Sequence, residues 1–381
     1  MNKYILSVIP AVAAMLMCGC GNGHSITVSN PSDMERNAEI VEVEARVLDS
    51  LMTGKPFRIV GPDGGEVPYQ RTYDGKLIFQ ATVAPMSSTV YSLAEGTPAQ
   101  ADTLSCGAFY PRRKDDLTWE NDHCAYRAYG PALEQSGEKA YGYDIWTKSV
   151  PAPVVARRYE DAFAGIRNLH RDYGDGMDVY TVGPTLGAGT MALLDSVGDI
   201  VYPACFRNYE ILDNGPLRFT VRLEYGSMAG PDVSEVRVIS LDAGEFLNRT
   251  RVCYGGLASG SRYAAGIVLH RQNPDGYALL PGEGIMAYAD LTDNETVGNG
   301  IIYIGAVVPQ ADTMGVSMLA EPEGDALGHM LAKGSCEPDA DITYYWGAGW
   351  SKGSMPDWQT WKDYLVGFRS RLDKPLAAQI R

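Results

Sequence analysis

The chain has 381 residues, of which 45% are hydrophobic and 21% charged, and it carries a formal net charge of −15. This length allows two or three domains, and the hydrophobic content supports a packed core, which excludes global disorder. The acidic charge excludes a nucleic-acid-binding surface, because a phosphate backbone requires a basic one. It leaves room for an anionic substrate held by a local cluster of Arg and Lys side chains.

Residues 1–23 are predicted to form a signal peptide and a lipid-anchor segment. Lys3 supplies a basic start, and residues 4–17 form an apolar run that is too short to span a bilayer as a mature helix. The run ends in MLMCGCGNG, where Cys20 after Gly19 is the predicted lipid acceptor and Cys18 the weaker one. An ordinary cleaved signal peptide is the alternative. The lipid predicts a protein of the periplasm or cell surface, attached to the outer membrane only through this anchor.

Residues 24–96 are predicted to form a small β-sandwich. Alternating runs such as IVEVEARV are typical of half-buried strands, and the GPDGG sequence at 61–65 predicts a turn between two strands. About five short strands in seventy residues favour a sandwich. The polar stretch at 96–105 predicts the domain boundary.

Residues 106–381 are predicted to form a large β-sandwich that carries the functional site. Alternating runs such as LRFTVRLEY and SEVRVISLD recur between Gly, Asp and Asn turns. Hydrophobic residues at helical spacing predict one C-terminal helix over 357–372. The five cysteines beyond the leader are widely spaced and include no C-x-x-C pair, so no metal site or cofactor is predicted and a disulfide is not required.

The stretch KDDLTWENDHCAYRAYGPALE at 114–134 combines charged and aromatic residues at high density. A solvated charged surface is the ordinary explanation for such a stretch. Strand alternation, however, places His123, Arg127 and Tyr129 on one face, and aromatic faces flanked by polar groups are typical of a sugar site. We therefore predict one wall of a sugar-binding cleft here.

Two further segments carry candidate residues. Asp144, Trp146 and Lys148 share one face of a predicted strand, and His170 precedes a glycine-supported loop that leads to Asp178 and Tyr180. A single histidine is more often structural than catalytic. The Asp and Tyr residues around His170 favour a catalytic role.

Removal of a proton next to a carboxylate requires a base, a cation and an acid. The predicted catalytic residues are His170 as the base, Arg127 as the cation with Lys148 as an alternative, and Tyr180 or Tyr129 as the acid. The competing prediction is glycoside hydrolysis by a carboxylate pair drawn from Asp116, Glu120, Asp122 and Asp178. The predicted substrate-binding residues are Lys148, Asp116, Glu120, Asn121, Asp122, Trp119, Trp146, Asp178 and Trp350.

Trp350 belongs to the aromatic segment DADITYYWGAGWSKGSMPDW at 339–358. A final strand leading into the helix and an aromatic wall beside the site are both open interpretations of this segment.

Five motifs together resemble the DUF4861 family of secreted or lipoprotein domains of Bacteroidetes. They are RKDDxxWEND at 113–122, RxYGPALE at 127–134, DIWxK at 144–148, HxDxGxGxDxYxVGPTLGAG at 170–189 and YxWGAGWSK at 344–352. The resemblance extends from about 26 to 372, and His123-Cys124 stands where the family is more variable. It implies an all-β chain with a small N-terminal sandwich, a mutarotase-like antiparallel β-supersandwich and a short C-terminal helix.

The resemblance also implies a role in polysaccharide utilisation, because what looks like a member of the family is an oligosaccharide dehydratase in ulvan breakdown. Our first hypothesis is therefore a carbon–oxygen lyase or dehydratase that acts on acidic, uronate-containing oligosaccharides. The alternatives are a glycan-binding lipoprotein without catalytic activity and a glycoside hydrolase. The identity of the polysaccharide and the oligomeric state are not predicted.

Overall fold

The computed structural model describes residues 23–226, 230, 232–291 and 298–381. The predicted all-β class is confirmed, since 46% of the chain is strand and 11% helix, in several antiparallel sheets. Cys20 lies outside the described residues, so its lipidation stays a prediction. No helix within the described ranges is long and apolar enough to cross a membrane.

The N-terminal unit pairs two sheets around a small apolar core. Its elements, in chain order, are β1 (Ser25–Ser29), β2 (Arg36–Glu44), α1 (Ala45–Leu51), β3 (Phe57–Val60), β4 (Glu66–Val67), β5 (Tyr69–Arg71), β6 (Lys76–Val83) and β7 (Ser88–Glu95). One sheet has the order β1-β7-β3-β4 and the other the order β2-β6-β5. The last strand of the chain, β25 (Ala377–Ile380), pairs with β1 and extends the first sheet. The two ends of the described chain therefore meet in this unit.

The large unit starts with a short sheet and the helices that flank it. These elements are β8 (Cys106–Tyr110), a 3₁₀ turn (Pro111–Arg113), β9 (Asp116–Glu120), β10 (Cys124–Ala128), α2 (Pro131–Gln135), β11 (Asp144–Thr147) and α3 (Val155–Phe163). They form a four-stranded antiparallel sheet in the order β11-β10-β9-β8. A long loop, 164–187, follows and leads into the main sandwich.

The main sandwich contains the remaining strands. They are β12 (Ala188–Leu194), β13 (Ile200–Val201), β14 (Phe206–Asn214), β15 (Arg218–Tyr225), β16 (Ser234–Asp242), β17 (Leu247–Gly255), β18 (Ser261–His270), β19 (Tyr277–Leu280), β20 (Ile285–Asp290), β21 (Ile302–Val307), β22 (Thr313–Met318), β23 (Ala326–Cys336) and β24 (Asp341–Trp350). An eight-stranded sheet runs β14-β15-β16-β17-β24-β21-β20-β19, and a five-stranded sheet runs β13-β12-β18-β23-β22. The five-stranded and the four-stranded sheet both pack against the eight-stranded one.

The C-terminal helix α4 (Trp358–Asp373) confirms the predicted helix at 357–372. Asp357 caps its start by accepting a hydrogen bond of 2.8 Å from the backbone amide of Thr360. Its buried face contains Trp361, Leu365 and Phe368 and packs on β20 and β21. A Cβ atom on Gly305 of β21 would lie 2.8 Å from Leu365, so the helix approaches this strand as closely as a glycine permits.

Candidate functional site

The charged and aromatic stretch at 114–134 lies mostly inside the protein. Every residue of β9, β10 and β11 is buried. A buried charge is costly unless it is paired and hydrogen-bonded, so the charged side chains of this sheet must find partners within the fold.

Arg127 lies at the centre of a buried cluster of three carboxylates. Its Nη1 donates to Asp116 and its Nη2 to Asp178, each at 3.3 Å, and Nη2 also forms an ion pair with Asp144. β10 and β11 place Arg127 directly opposite Asp144. Nη2 also lies 3.4 Å from the hydroxyl of the half-buried Tyr129. Because one guanidinium cannot neutralise three ionised carboxylates, the cluster favours retention of a proton.

The proton is held most readily by Asp144. Burial raises the pKa of its carboxyl group to about 7, with Arg127 opposing the shift and Asp178 adding to it. Burial also raises the pKa of Asp116 above its ordinary value. A carboxyl group that exchanges a proton near neutral pH is a candidate for acid–base chemistry.

A second buried ion pair uses two of the predicted substrate-binding residues. Lys148 donates from Nζ to Glu120 at 2.7 Å and to the backbone carbonyl of Asn121 at 2.5 Å. Glu120 also accepts hydrogen bonds from the backbone amides of Val154 and Val155 at the start of α3. Glu120 therefore holds the start of α3 against the sheet, and Lys148 compensates its buried charge.

Asn121 and Asp122 stabilise the turn between β9 and β10. Asn121 donates to the carbonyls of Asp242 and Glu245 and accepts from the amides of His123 and Cys124. Asp122 accepts a hydrogen bond of 2.8 Å from the amide of Gly244. These contacts are structural, and binding of substrate by the two residues stays a prediction.

The three predicted tryptophan contacts are all buried. The indole of Trp119 donates to Asn248 at 2.7 Å, and that of Trp350 donates to the carbonyl of Asn299 at 2.8 Å. Trp146 lies beside Arg127, whose guanidinium carbon is 5.3 Å from the centre of its ring. Fully covered rings present no face to a sugar, so the geometry lends no support to their predicted role as sugar contacts.

His170 lies exposed in the loop 164–187, and its ring is held in one orientation. Its Nδ1 is 2.6 Å from the carbonyl oxygen of Asp178, whose side chain binds Arg127. A carbonyl can only accept a hydrogen bond, so Nδ1 carries the proton in the neutral ring and Nε2 carries the lone pair. The ring is thus oriented as a base, with Nε2 as the proton acceptor.

Contacts of Asp178 link His170 to Arg127 and, through Arg127, to Tyr129, whereas the ring of Tyr180 packs against His270. Burial raises the pKa of both tyrosines well above the ordinary value, so both keep their protons at neutral pH. This is the protonation state that an acid requires.

Sequence reasoning missed a second polar cluster beyond Tyr180. His270 lies 2.6 Å from Asp290 and its ring centre is 5.5 Å from that of Tyr180. Burial acts to lower the pKa of His270, but Asp290 outweighs it and raises this pKa above the ordinary value. Burial and the positive charge of His270 lower the pKa of His329 to about 4. The only available signal was a histidine that ends the apolar run YAAGIVLH.

Asp144 was noted on its strand but was not chosen as a site residue. Its importance depends on its position opposite Arg127, which the sequence does not show. Its burial, like the contact between His270 and Asp290 across 20 residues of sequence, is a property of the folded chain.

Arg171 is the exposed cation nearest to His170 in sequence. Its guanidinium carbon lies 5.4 Å from the ring centre of Tyr173, and it forms no ion pair within the described ranges. The neighbouring Arg167, by contrast, is paired with Asp161 and Asp175.

Neither thiol nor metal chemistry is indicated by the described residues. Burial raises the pKa of Cys124 and of Cys205 to about 12, which disfavours a reactive thiolate. No group of three or more His, Cys, Asp or Glu residues in this part of the chain is arranged to hold a metal ion.

The fold and the site define a mainly β protein of antiparallel sandwiches with a buried arginine–carboxylate cluster. The chain belongs to the family described as "Domain of unknown function (DUF4861)", whose model matches residues 28–378, and the predicted resemblance is thereby confirmed. It is 25% identical over 409 residues to "Uncharacterized protein P7" of Formosa agariphila, with full coverage of both chains.

Two solved structures from Enterococcus faecalis are similar over 94% of the chain. One is an α-mannosidase from strain V583, with a TM-score of 0.45, and the other is a protein of glycosyl hydrolase family 38, with a TM-score of 0.41. Each is 8% identical in sequence. The chain spans less than half of each of these proteins, 46% and 47%.

Proposed function

We propose that the protein is a carbohydrate-active enzyme, a carbon–oxygen lyase of the dehydratase type that acts on uronate-containing oligosaccharides. The observation that carries the proposal is the orientation of His170. Its Nδ1 is bound to the carbonyl of Asp178 at 2.6 Å, and Nε2 of this exposed residue is left as a base. The side chain of the same Asp178 binds Arg127, which contacts Tyr129.

The reaction removes water from a terminal uronate. Nε2 of His170 takes the proton next to the carboxylate, and the electron pair of that C–H bond forms the new carbon–carbon double bond. The hydroxyl on the neighbouring carbon leaves with a proton from Tyr129 or Tyr180, so that water is the product. Each tyrosine carries its proton at neutral pH, as an acid must, and burial, which raises the pKa of each hydroxyl, makes it a weaker proton donor than an exposed tyrosine.

The cation that faces the substrate carboxylate is assigned to Arg171 in this proposal. Arg127 and Lys148 were predicted for this role, but both are already bound to buried carboxylates. A substrate carboxylate beside Arg127 would meet the carboxyl groups of Asp116, Asp144 and Asp178, which already compensate the charge of the guanidinium. Arg171 is exposed, forms no ion pair within the described ranges and follows His170 directly in the sequence.

Glycoside hydrolysis is the second candidate, and one observation favours it. Asp144 and Asp178 both bind the same nitrogen of Arg127, so their carboxylates lie within roughly 6 Å of each other, the reach of two hydrogen bonds. A carboxyl with a pKa of about 7 next to a second carboxylate has the properties of an acid–base pair. Both groups are buried, however, whereas His170 is exposed.

The two candidates are separated by mass spectrometry of the products from a panel of acidic oligosaccharides. A dehydratase gives a product lighter by one water that absorbs in the ultraviolet, whereas a hydrolase gives new reducing ends without unsaturation. We expect His170→Ala to abolish dehydration and the matched variant His24→Ala, just before β1, to keep it. If neither variant nor the wild type changes any substrate while glycans still bind, the protein is a glycan-binding lipoprotein.

We also propose that the mature protein is attached to the outer membrane through a lipid on Cys20. The support is the sequence of the leader alone. Labelling with a radioactive fatty acid should mark the wild-type protein, and Cys20→Ala should abolish the label while Cys18→Ala keeps it.

A further inference from the structure

A pocket of about 430 Å³ lies between the N-terminal unit and the eight-stranded sheet. Side chains of β15, β16, β17 and β24 form its floor, and β2, α4 and the segment 375–376 form its walls. The volume falls within the range of small-ligand sites, which occur preferentially between domains.

The pocket is separate from the buried arginine cluster. Tyr345 lines the pocket, whereas its neighbour Trp346 packs against Tyr126 of the four-stranded sheet. Neighbouring side chains of a strand point to opposite faces. The pocket and the cluster around Arg127 therefore lie on opposite sides of the eight-stranded sheet.

Most of the charged side chains around the pocket compensate one another. They form the pairs Arg36–Glu39, Arg218–Asp242 and Arg371–Glu245, each joined by two hydrogen bonds. Each of these pairs has no net charge. Two other charged side chains that line the pocket, Glu42 and Arg249, therefore decide which ligand it can hold.

Three polar groups of the pocket keep hydrogen-bonding capacity within the described ranges. The guanidinium of Arg249 forms no hydrogen bond there, since its ion-pair partner Glu42 is 3.9 Å from Nη1. Glu42 uses Oε1 for this ion pair and for Arg218, which leaves Oε2 as an acceptor. The hydroxyl of Tyr345 likewise has no hydrogen-bond partner in this part of the chain.

A ligand can reach these three groups. The side chain of Arg249 is 40% exposed and that of Glu42 33%, and Tyr345 is half-buried. Arg249 and Tyr345 lie directly opposite each other on β17 and β24. Burial raises the pKa of Tyr345, the charge of Arg249 opposes this shift and that of Glu42 adds to it, so both charges act on its hydroxyl. The apolar part of the wall includes Ile40, Leu372, Pro375 and Leu376.

We propose that this pocket binds a uronic acid unit, as a second acidic-sugar site on the far side of the sheet from the arginine cluster. The carboxylate of the sugar accepts from Arg249 and Tyr345, and a ring hydroxyl donates to Oε2 of Glu42. The apolar wall packs against the C–H groups of the ring. The choice of an anion rests on Arg249, and the choice of a sugar acid rests on the proposed function.

The test measures binding of glucuronate by titration calorimetry and saturation-transfer NMR in the Arg171→Ala protein, which lacks the cation of the proposed reaction site. We expect glucuronate to bind, and glucose, which has a hydroxymethyl group in place of the carboxylate, to bind about tenfold more weakly. Addition of Arg249→Gln should weaken binding of glucuronate about tenfold, because it removes the charged donor. Addition of Tyr345→Phe should weaken it about threefold, since it removes a neutral donor.

Arg251→Gln is the matched control and should leave the affinity unchanged. Arg251 lies two positions further along the same face of β17, its side chain is 43% exposed against 40% for Arg249, and it does not line the pocket. Equal affinity in the Arg249→Gln and Arg251→Gln proteins would overturn the site. So would the absence of glucuronate binding, or glucose bound as tightly as glucuronate. Binding of hexanoate without binding of glucuronate would also overturn it, because the pocket would then hold an alkyl acid.

These failures differ from failure of the proposed function. Dehydration of uronates by the wild type, without binding that depends on Arg249, removes this site alone. Binding that depends on Arg249, without any dehydration, keeps the site and removes the dehydratase.

Discussion

Replacement of Asp144 by Asn tests the electrostatics of the arginine cluster. Asn resembles the protonated carboxyl in shape, so the variant keeps the packing and removes the ionisation. In the folded protein the pKa of Asp144 is about 7, against 3.8 for an unperturbed carboxyl. The unfolded chain therefore loses this proton at lower pH than the folded chain, and stability falls as the pH rises between these two values.

The size of the effect follows from the difference between the two pKa values. The full shift corresponds to about 4 kcal/mol, and about 2.5 kcal/mol of it is lost between about pH 5 and about pH 8. We expect Asp144→Asn to lack this loss. The free energy of unfolding of the variant minus that of the wild type should therefore increase by about 2.5 kcal/mol between about pH 5 and about pH 8.

Urea denaturation at both pH values, followed by tryptophan fluorescence, measures this difference. Asp33→Asn, an exposed substitution in the N-terminal unit, is the control and should show the same pH dependence as the wild type. A variant of Asp144 whose stability relative to the wild type is the same at both pH values would refute the reasoning. It would mean that Arg127 keeps Asp144 ionised throughout, and the acid–base role of the cluster would fail with it.

Three further outcomes are expected. Arg171→Ala should raise KM for an acidic oligosaccharide about tenfold with little change in kcat, because it removes a charged contact worth about 1.5 kcal/mol. Steady-state kinetics measure both constants, and Arg46→Ala is the control that should change neither. Lys148→Met should lower the free energy of unfolding by about 3–5 kcal/mol, since it leaves the buried carboxylate of Glu120 without its cation. In the same urea titration, Lys55→Met at an exposed ion pair should lower it by less than about 1 kcal/mol. Gly142→Ala should lower the melting temperature measured by calorimetry, because its Cβ would lie 2.2 Å from the backbone of Leu186; an unchanged melting temperature would contradict the close packing of this loop.

The sequence predicted the elements whose signals are local. The C-terminal helix follows from the spacing of its apolar residues, and the alternating runs at 217–225 and 234–242 are strands β15 and β16. His170 and Tyr180 were found because they flank a glycine-rich loop. Each of these signals is contained in fewer than twenty consecutive residues.

The sequence could not show that the stretch at 114–134 is covered on both faces. Alternation of polar and apolar residues separates two faces of a strand, but it does not say what covers each face. Trp119 was taken for a sugar contact and is packed within 6.3 Å of Trp346, which is 227 positions away in the chain. The charges of Arg127 and Lys148 looked free for a substrate because their partners lie on other strands.

Because Arg127 and Lys148 are buried, the proposed chemistry depends mainly on the exposed residues of the loop 164–187. Arg127 and Lys148 form ion pairs with buried carboxylates of the four-stranded sheet. Asp178 is held in place because its side chain accepts a hydrogen bond from Arg127, and its backbone carbonyl accepts one from His170. In the proposed mechanism, the core cluster therefore positions the base without contacting the substrate. Two residues further along the chain, the ring of Tyr180 packs against that of His270. One stretch of nine residues, from His170 to Asp178, thus connects the proposed base to the buried cluster. Substitutions in the core should therefore change turnover through the orientation of His170 rather than through affinity.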